Sequence, residues 1–229
     1  MKIFVPAEHH EGEKRVRLVP EAVAKLIKLE HSVEVLSGAG ISTTHSDDSY
    51  VSAGATISHD AAASLANADV VVSVRPLAIG DIARLKPGAV TLSFLSPANN
   101  ADEIRALSDA KVTALSFDLV PRISRAQSMD ALTSQALCSG YRTVLIAAEH
   151  MPTFFPMLMT AAGTIPPAKV LVLGAGVAGL QAMATARRLG AVVSAYDVRS
   201  SSADEVKSMG ATFIDLGLDA LEGAGGYAR

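Results

Sequence analysis

Two stretches of this chain carry residue types whose spacing could do chemistry. The first is Gly174-Ala175-Gly176-Val177-Ala178-Gly179, a G-x-G-x-x-G turn. It follows an apolar run, Val170–Leu173, and opens a helical stretch, Val177 to Leu189. Gly190 stops that helix, and a second apolar run, Val192–Tyr196, ends on Asp197. Strand, glycine turn, helix, strand and acid stand in the order a dinucleotide site requires. Gly174 permits the tight turn, Gly176 lets a pyrophosphate approach the backbone, and Gly179 lets the helix pack closely on the strand. The helix N-terminus offers N–H groups and a partial positive charge to phosphates. Asp197 falls 21 residues after Gly176, near the expected spacing of ~20. Its carboxylate can accept both ribose hydroxyls and would repel a 2′-phosphate, which favours NAD(H) over NADP(H). Arg199 is the counterweight, since an arginine nearby can hold a 2′-phosphate.

The second stretch is the loop Pro121–Ala131, PRISRAQSMDA. Capping accounts for part of it: Ser128 as the N-cap of the following helix and Asp130 in its first turn. Capping does not account for Arg122, Arg125 and Gln127 so close together. Charged and amide groups there could hold a carboxamide, its ribose or phosphates.

Strands and helices alternate ahead of these stretches. Lys2–Val5, Ser32–Leu36, Val70–Val74, Val90–Leu95 and Lys111–Leu115 read as strands. Helices are expected from Pro20, from Ser46 to Ala53, and over Ala61–Ala66, Ile82–Leu85 and Ala101–Ser108. Ser37-Gly38-Ala39-Gly40 lacks a third glycine in place and reads as a plain turn. A long helix from Met129 to about His150 and a short one to about Ala162 then lead to the fingerprint strand. After Asp197 come a helix over Ser201–Met209, a strand over Ala211–Asp215 and a glycine-rich tail. The expected fold is α/β: two Rossmann-like parallel-sheet domains joined by a long helix. The expected boundaries are an N-terminal domain over 1–128, connecting helices over 129–162 and an NAD-binding domain over 163–229. Only the first half of that last domain is expected here, so this chain should bind NADH weakly or be incomplete.

Composition narrows the function classes. The 229 residues are 49% hydrophobic with a net charge of −3 and no Lys/Arg-rich run, which argues against nucleic acid. One cysteine, Cys138, excludes an internal disulfide framework, fits a reducing compartment, and is expected to be a packed thiol. No signal peptide or membrane span is expected, so the chain is soluble or reaches a membrane through a partner. The six histidines show no metal-ligand spacing. Arg15 and Arg17 read as surface ion-pairing residues, and Met151, Met157, Met159 and Met183 as core fillers.

RISRAQSMDAL, GYR at Gly140–Arg142, VLVLGAGVAGLQAMATARRLGAVVSAYDVR, EKRVRLVPEAV and GAGGYAR together resemble the NAD(H)-binding component of proton-translocating nicotinamide nucleotide transhydrogenase. The resemblance implies hydride transfer from NADH bound here to NADP⁺ on an NADP(H)-binding partner domain, coupled to proton movement by a membrane-spanning partner. It also implies a homodimer at the cytoplasmic side of the inner membrane. It places Arg122, Gln127 and Asp130 around the nicotinamide and its ribose. Gln127, Ser128, Met129, Asp130 and Val177 would contact the cofactor. Asp197, Val198 and Arg199 would hold the adenosine end, and Gly226 and Tyr227 would belong to a closing loop. Thr133 stands where the family often has serine and keeps the hydroxyl.

Alanine dehydrogenase, a related family, is the competing resemblance. Its pocket uses an arginine, a lysine and a histidine; Arg15 fits the first, but Arg75 and Ser96 stand where the other two are expected. Arginine stays charged and is a poor proton-transfer group. Reductive amination needs such a group, whereas transfer between two nicotinamides does not. A third possibility is a non-catalytic NAD(H)-binding module.

Overall fold

Ile3 and Val5 point into one apolar cluster and Phe4 into another, as the period-two geometry of a strand covered on both faces requires. That strand, β1 (Lys2–Val5), sits inside a six-stranded sheet, and the computed structural model describes residues 1–199 and 201–217. The chain divides after Asp130 into two compact units.

In the first unit, β1 leads through α1 (Pro20–Lys28) to β2 (Ser32–Leu36), and α2 (Asp47–Ser52) leads to β3 (Thr56–Ser58). Then come α3 (Ala61–Asn67), β4 (Val70–Val72), α4 (Ile79–Ile82), β5 (Val90–Ser93), α5 (Ala101–Asp109) and β6 (Thr113–Ser116). The strands run parallel in the order β3-β2-β1-β4-β5-β6, the doubly wound arrangement. One face buries Val23, Val33, Val35 and Tyr50; the other buries Leu65, Val71, Ile82 and Leu107. Pro20 starts α1 with its fixed φ, and Ser46 and Asp60 cap α2 and α3 by accepting from Ser49 and Ala63 N–H. The glycine turn after β2 is a plain turn as expected: Asp47 accepts from Ser37 Oγ and Gly38 N–H.

The second unit opens with α6 (Ala131–His150) and continues through β7 (Leu158–Thr160) and β8 (Gly163–Ile165). It ends, within the described residues, with β9 (Lys169–Leu173), α7 (Val177–Arg188), β10 (Val192–Tyr196), α8 (Ser202–Ser208) and β11 (Thr212–Phe213). The described sheet is parallel in the order β11-β10-β9, the 3-2-1 half of a doubly wound sheet. Its core gathers Met183, Ala186, Val193, Ala195 and Val206. α6 packs on α7 at Gly140, where a Cβ would overlap the Ala178 carbonyl. The α/β expectation is therefore met by two Rossmann-like parallel sheets, with the long helix inside the second unit.

Several local expectations are corrected. In place of the short helix expected up to about Ala162, β7 pairs with β8 in an antiparallel hairpin. Met157 and Met159 are accordingly exposed, while Met183 is fully buried. Cys138 is exposed, because α6 buries the stripe through Gly140 and Val144. The strand β3 and the turn of 3-10 helix at Ile41–Thr43 carry no strong sequence signal.

Candidate functional site

β9 ends at Leu173, and the chain turns at Gly174 with a φ of +96°, a conformation that favours glycine. Gly174 N–H donates to the Tyr196 carbonyl at 2.8 Å, tying the turn to the end of β10. Gly176 is the N-cap of α7, and a Cβ there would meet nothing within 4 Å. A Cβ at Gly179 would instead overlap the Gly174 carbonyl. The three glycines thus do different work: one bends the chain, one keeps space clear, and one seats the helix. Among the described residues no side chain caps α7, so its first-turn N–H groups, which lack intrahelical acceptors, can serve an anion. These features fit a dinucleotide: the clear space beside Gly176 is where a pyrophosphate would approach.

Asp197 follows β10 directly and is 8% exposed. Its Oδ2 accepts from Ala175 N–H at 2.6 Å and from Arg199 Nη2 at 3.2 Å. Its Oδ1 accepts from Arg199 N–H at 2.8 Å and from Arg199 Nε at 3.0 Å. The Arg199 side chain holds the Asp197 pKa down, to about 2, against the opposing effect of burial. Asp197 is therefore a carboxylate throughout the physiological range. The bond from Ala175 has no signature in residue types, since nearly any residue there offers the same N–H. Val198 is half-buried, and Val177 lies at the first position of α7.

The loop before α6 is a six-residue 3-10 helix, Ser124–Met129, longer than the ~3–4 residues usual for that geometry. Ala126 anchors it at 4% exposure. Arg122, Gln127, Ser128 and Met129 are exposed around that anchor, and Asp130 is half-buried just before α6. Ser128 lies inside the 3-10 helix and so is not the N-cap of α6, which begins at Ala131. Thr133 lies in the first turn of α6, half-buried. The first unit thus gathers Arg122, Gln127, Ser128, Met129 and Asp130 on one segment. The second gathers Gly174, Gly176, Val177, Gly179, Asp197, Val198 and Arg199 around one turn. Gly226 and Tyr227 lie outside the described residues.

A third cluster carries little signal in the sequence. The topological switch point of the six-stranded sheet lies between β1 and β4, where open α/β sheets hold ligands. Glu8 fills it, accepting from Val74 N–H at 2.6 Å and Arg75 N–H at 3.1 Å. Glu13 pairs with Arg15 at 2.6 Å and Arg75 at 3.4 Å. The Arg15 side chain holds the Glu13 pKa down to about 2. The space left beside Glu8 and Arg75 is about 40 Å³. Arg17 is corrected from ion pair to stacking: its guanidinium lies 3.8 Å from the Phe117 ring centre. Ser96 donates its N–H to Asp118 at 2.7 Å.

The fold and the glycine turn are those of an α/β protein carrying a dinucleotide fingerprint. Residues 4–139 match the alanine dehydrogenase/PNT N-terminal domain, and residues 143–222 match the C-terminal domain. The chain belongs to the alanine dehydrogenase/PNT family. It is similar to an NAD(P) transhydrogenase subunit alpha chain of Rhodospirillum rubrum, 49% identical over 100% of this chain and 62% of that protein. The crystal structure of transhydrogenase from Sinorhizobium meliloti superposes with a TM-score of 0.91 at 46% identity, covering 94% of this chain and 64% of that one. Alanine dehydrogenase of Methanococcus maripaludis is 28% identical over 87% of this chain and 54% of that protein. The chain spans about three-fifths of the length of the first of these relatives.

Proposed function

We propose that this chain is the NAD(H)-binding part of a proton-translocating transhydrogenase, passing a hydride between NADH and NADP⁺ held on a partner domain. The observation that carries the proposal is the pairing of clear space at Gly176 with the Asp197 carboxylate at the end of β10. Identity of 49% across the whole chain to a transhydrogenase subunit alpha supports the particular reaction. The bound nicotinamide supplies the hydride. The turn and the N-terminus of α7 bind phosphate, and Asp197 accepts from the ribose diol. Arg122, Gln127 and Asp130 orient the nicotinamide, and Ser128, Met129, Thr133, Val177, Val198 and Arg199 complete the contacts. The work of these residues is positioning, with no proton transfer asked of them.

The partners proposed are an NADP(H)-binding domain, a membrane-spanning proton-translocating subunit and a second copy of this component. Among the described residues no helix is long and apolar enough to cross a membrane. We place the chain on the cytoplasmic side of the inner membrane, held there by those partners. Alanine dehydrogenase chemistry is disfavoured because an arginine, a poor proton-transfer group, stands where that family's lysine is expected, and Arg75 is paired with Glu13.

The test uses Gln127→Asn and Asp130→Asn with an NADP(H)-binding transhydrogenase component added. Stopped-flow hydride transfer should slow by about 10- to 100-fold, while the NADH dissociation constant changes far less. Equal losses in both would remove the positioning role. Turnover of NAD⁺ with L-alanine and no partner would replace the transhydrogenase reading by the dehydrogenase one.

A further inference from the structure

Asp197 draws a full set of donors from the protein itself. A carboxylate offers about four acceptor positions, and four donors surround this one. They fall into two kinds. The N–H groups of Ala175 and Arg199 belong to the backbone and are set by the turn, at 2.6 and 2.8 Å. The Nε and Nη2 atoms of Arg199 belong to a side chain that is 27% exposed, and they sit farther off, at 3.0 and 3.2 Å. Charge-assisted N–H···O⁻ bonds are usually about 2.7–2.9 Å, so the guanidinium pair is the looser half. It is also the half that can leave without unfolding the turn.

The edge of a guanidinium presents two parallel donors, one to each carboxylate oxygen. A ribose 2′,3′-diol presents the same arrangement. We propose that Arg199 is an internal competitor for the ribose: its guanidinium holds the two-pronged face of Asp197 that a nucleotide diol must take. The proposal rests on the dinucleotide reading of the glycine turn. Nucleotide binding is then an exchange, in which two hydroxyl donors replace two guanidinium donors. The diol contributes little net affinity, because the bonds it makes are offset by those it displaces. The pairing also sets cofactor choice. With Arg199 in place, the face of Asp197 is nearly neutral toward a 2′-phosphate; without it, a bare carboxylate would repel that phosphate.

The test compares NADH with its 2′-deoxyadenosine analogue by fluorescence titration of the full chain. It uses wild type, Arg199→Met and Arg199→Lys, with circular dichroism and thermal melting confirming the fold. Any contact of Arg199 with another part of the nucleotide cancels in the ratio of the two dissociation constants. In wild type, loss of the 2′-hydroxyl should weaken binding only about threefold; in Arg199→Met the penalty should grow to about 30-fold. Arg199→Lys keeps the charge but lacks the fork and should fall between them, so it carries the test if the methionine variant does not fold. The preference for NADH over NADPH should also rise in Arg199→Met. An equal or smaller penalty in both variants overturns the competitor role while leaving the dinucleotide site intact. Absence of NADH binding in wild type overturns the dinucleotide reading and this proposal with it.

Discussion

At the carboxyl end of β1 the first unit places Glu8 against the N–H groups of Val74 and Arg75, and Glu13 between Arg15 and Arg75. At the carboxyl end of β9 the second unit places Gly174 and Gly176, and among the described residues no side chain caps the N-terminus of α7. Both positions belong to the same topology, parallel strands wound in the 3-2-1 sense. In one, acidic side chains take up the donors that an anion would use. In the other, an acid takes only the Ala175 N–H of the turn, and the missing Cβ atoms keep the space at the start of α7 clear. Topology makes the crevice; side-chain volume and charge decide whether a ligand can have it.

Filling the open site or spoiling its packing breaks this contrast most directly. Gly179→Ala should have the largest effect, because its Cβ would overlap the Gly174 carbonyl, which is backbone and cannot swing away. Strain of this kind costs about 3 kcal/mol. Thermal melting should show the second unit destabilised, with NADH binding lost. Gly176→Leu comes next and should separate binding from folding. Its side chain enters space that is clear for 4 Å, so the melting temperature should stay near wild type. NADH affinity should fall by about 100-fold, or ~2.7 kcal/mol. A normal affinity would remove Gly176 from the phosphate path.

Gly40→Ala makes the matching change in the first unit. Its Cβ would lie 2.7 Å from Tyr50 Cε2 and 2.8 Å from the His45 carbonyl. It should cost about 2 kcal/mol, seen in denaturant unfolding, and leave NADH affinity unchanged in the folded protein. The smallest effect concerns acid. Glu13 falls from an ordinary 4.5, and Asp197 from 3.8, each to about 2 in the folded chain. A lowered folded-state pKa stabilises above the ordinary value and loses that contribution as pH falls through about 2. Glu13→Gln and Asp197→Asn should each flatten the fall in stability between about pH 4.5 and 2. Only Asp197→Asn should also alter nucleotide binding.

The α/β alternation was legible because the strands of the first unit other than β3 are largely apolar runs bounded by polar or glycine-containing turns, as with Ser32–Leu36 before Ser37-Gly38. The glycine turn and Asp197 were legible because backbone conformation and close approach constrain residue type. The hairpin at 157–165 was not, because Met-Leu-Met-Thr-Ala-Ala carries no strand alternation and forms sheet only by pairing with Gly163–Ile165. The stacking of Arg17 was not legible either, because its partner, Phe117, lies 100 residues away.

The sequence by itself determined the order of elements, the glycine turn and the acid after β10, since these depend on neighbours within a few tens of residues. Resemblance added the roles proposed for Arg122, Gln127 and Asp130. The tertiary structure alone decided which carboxylates are already engaged. Glu8 reaches the backbone of Val74 across 66 positions of sequence, and Asp197 reaches Ala175 across 22. A backbone N–H is the same in every residue except proline, so these bonds leave no mark in composition or spacing. Only the folding of distant strands into one sheet brings donor and acceptor together.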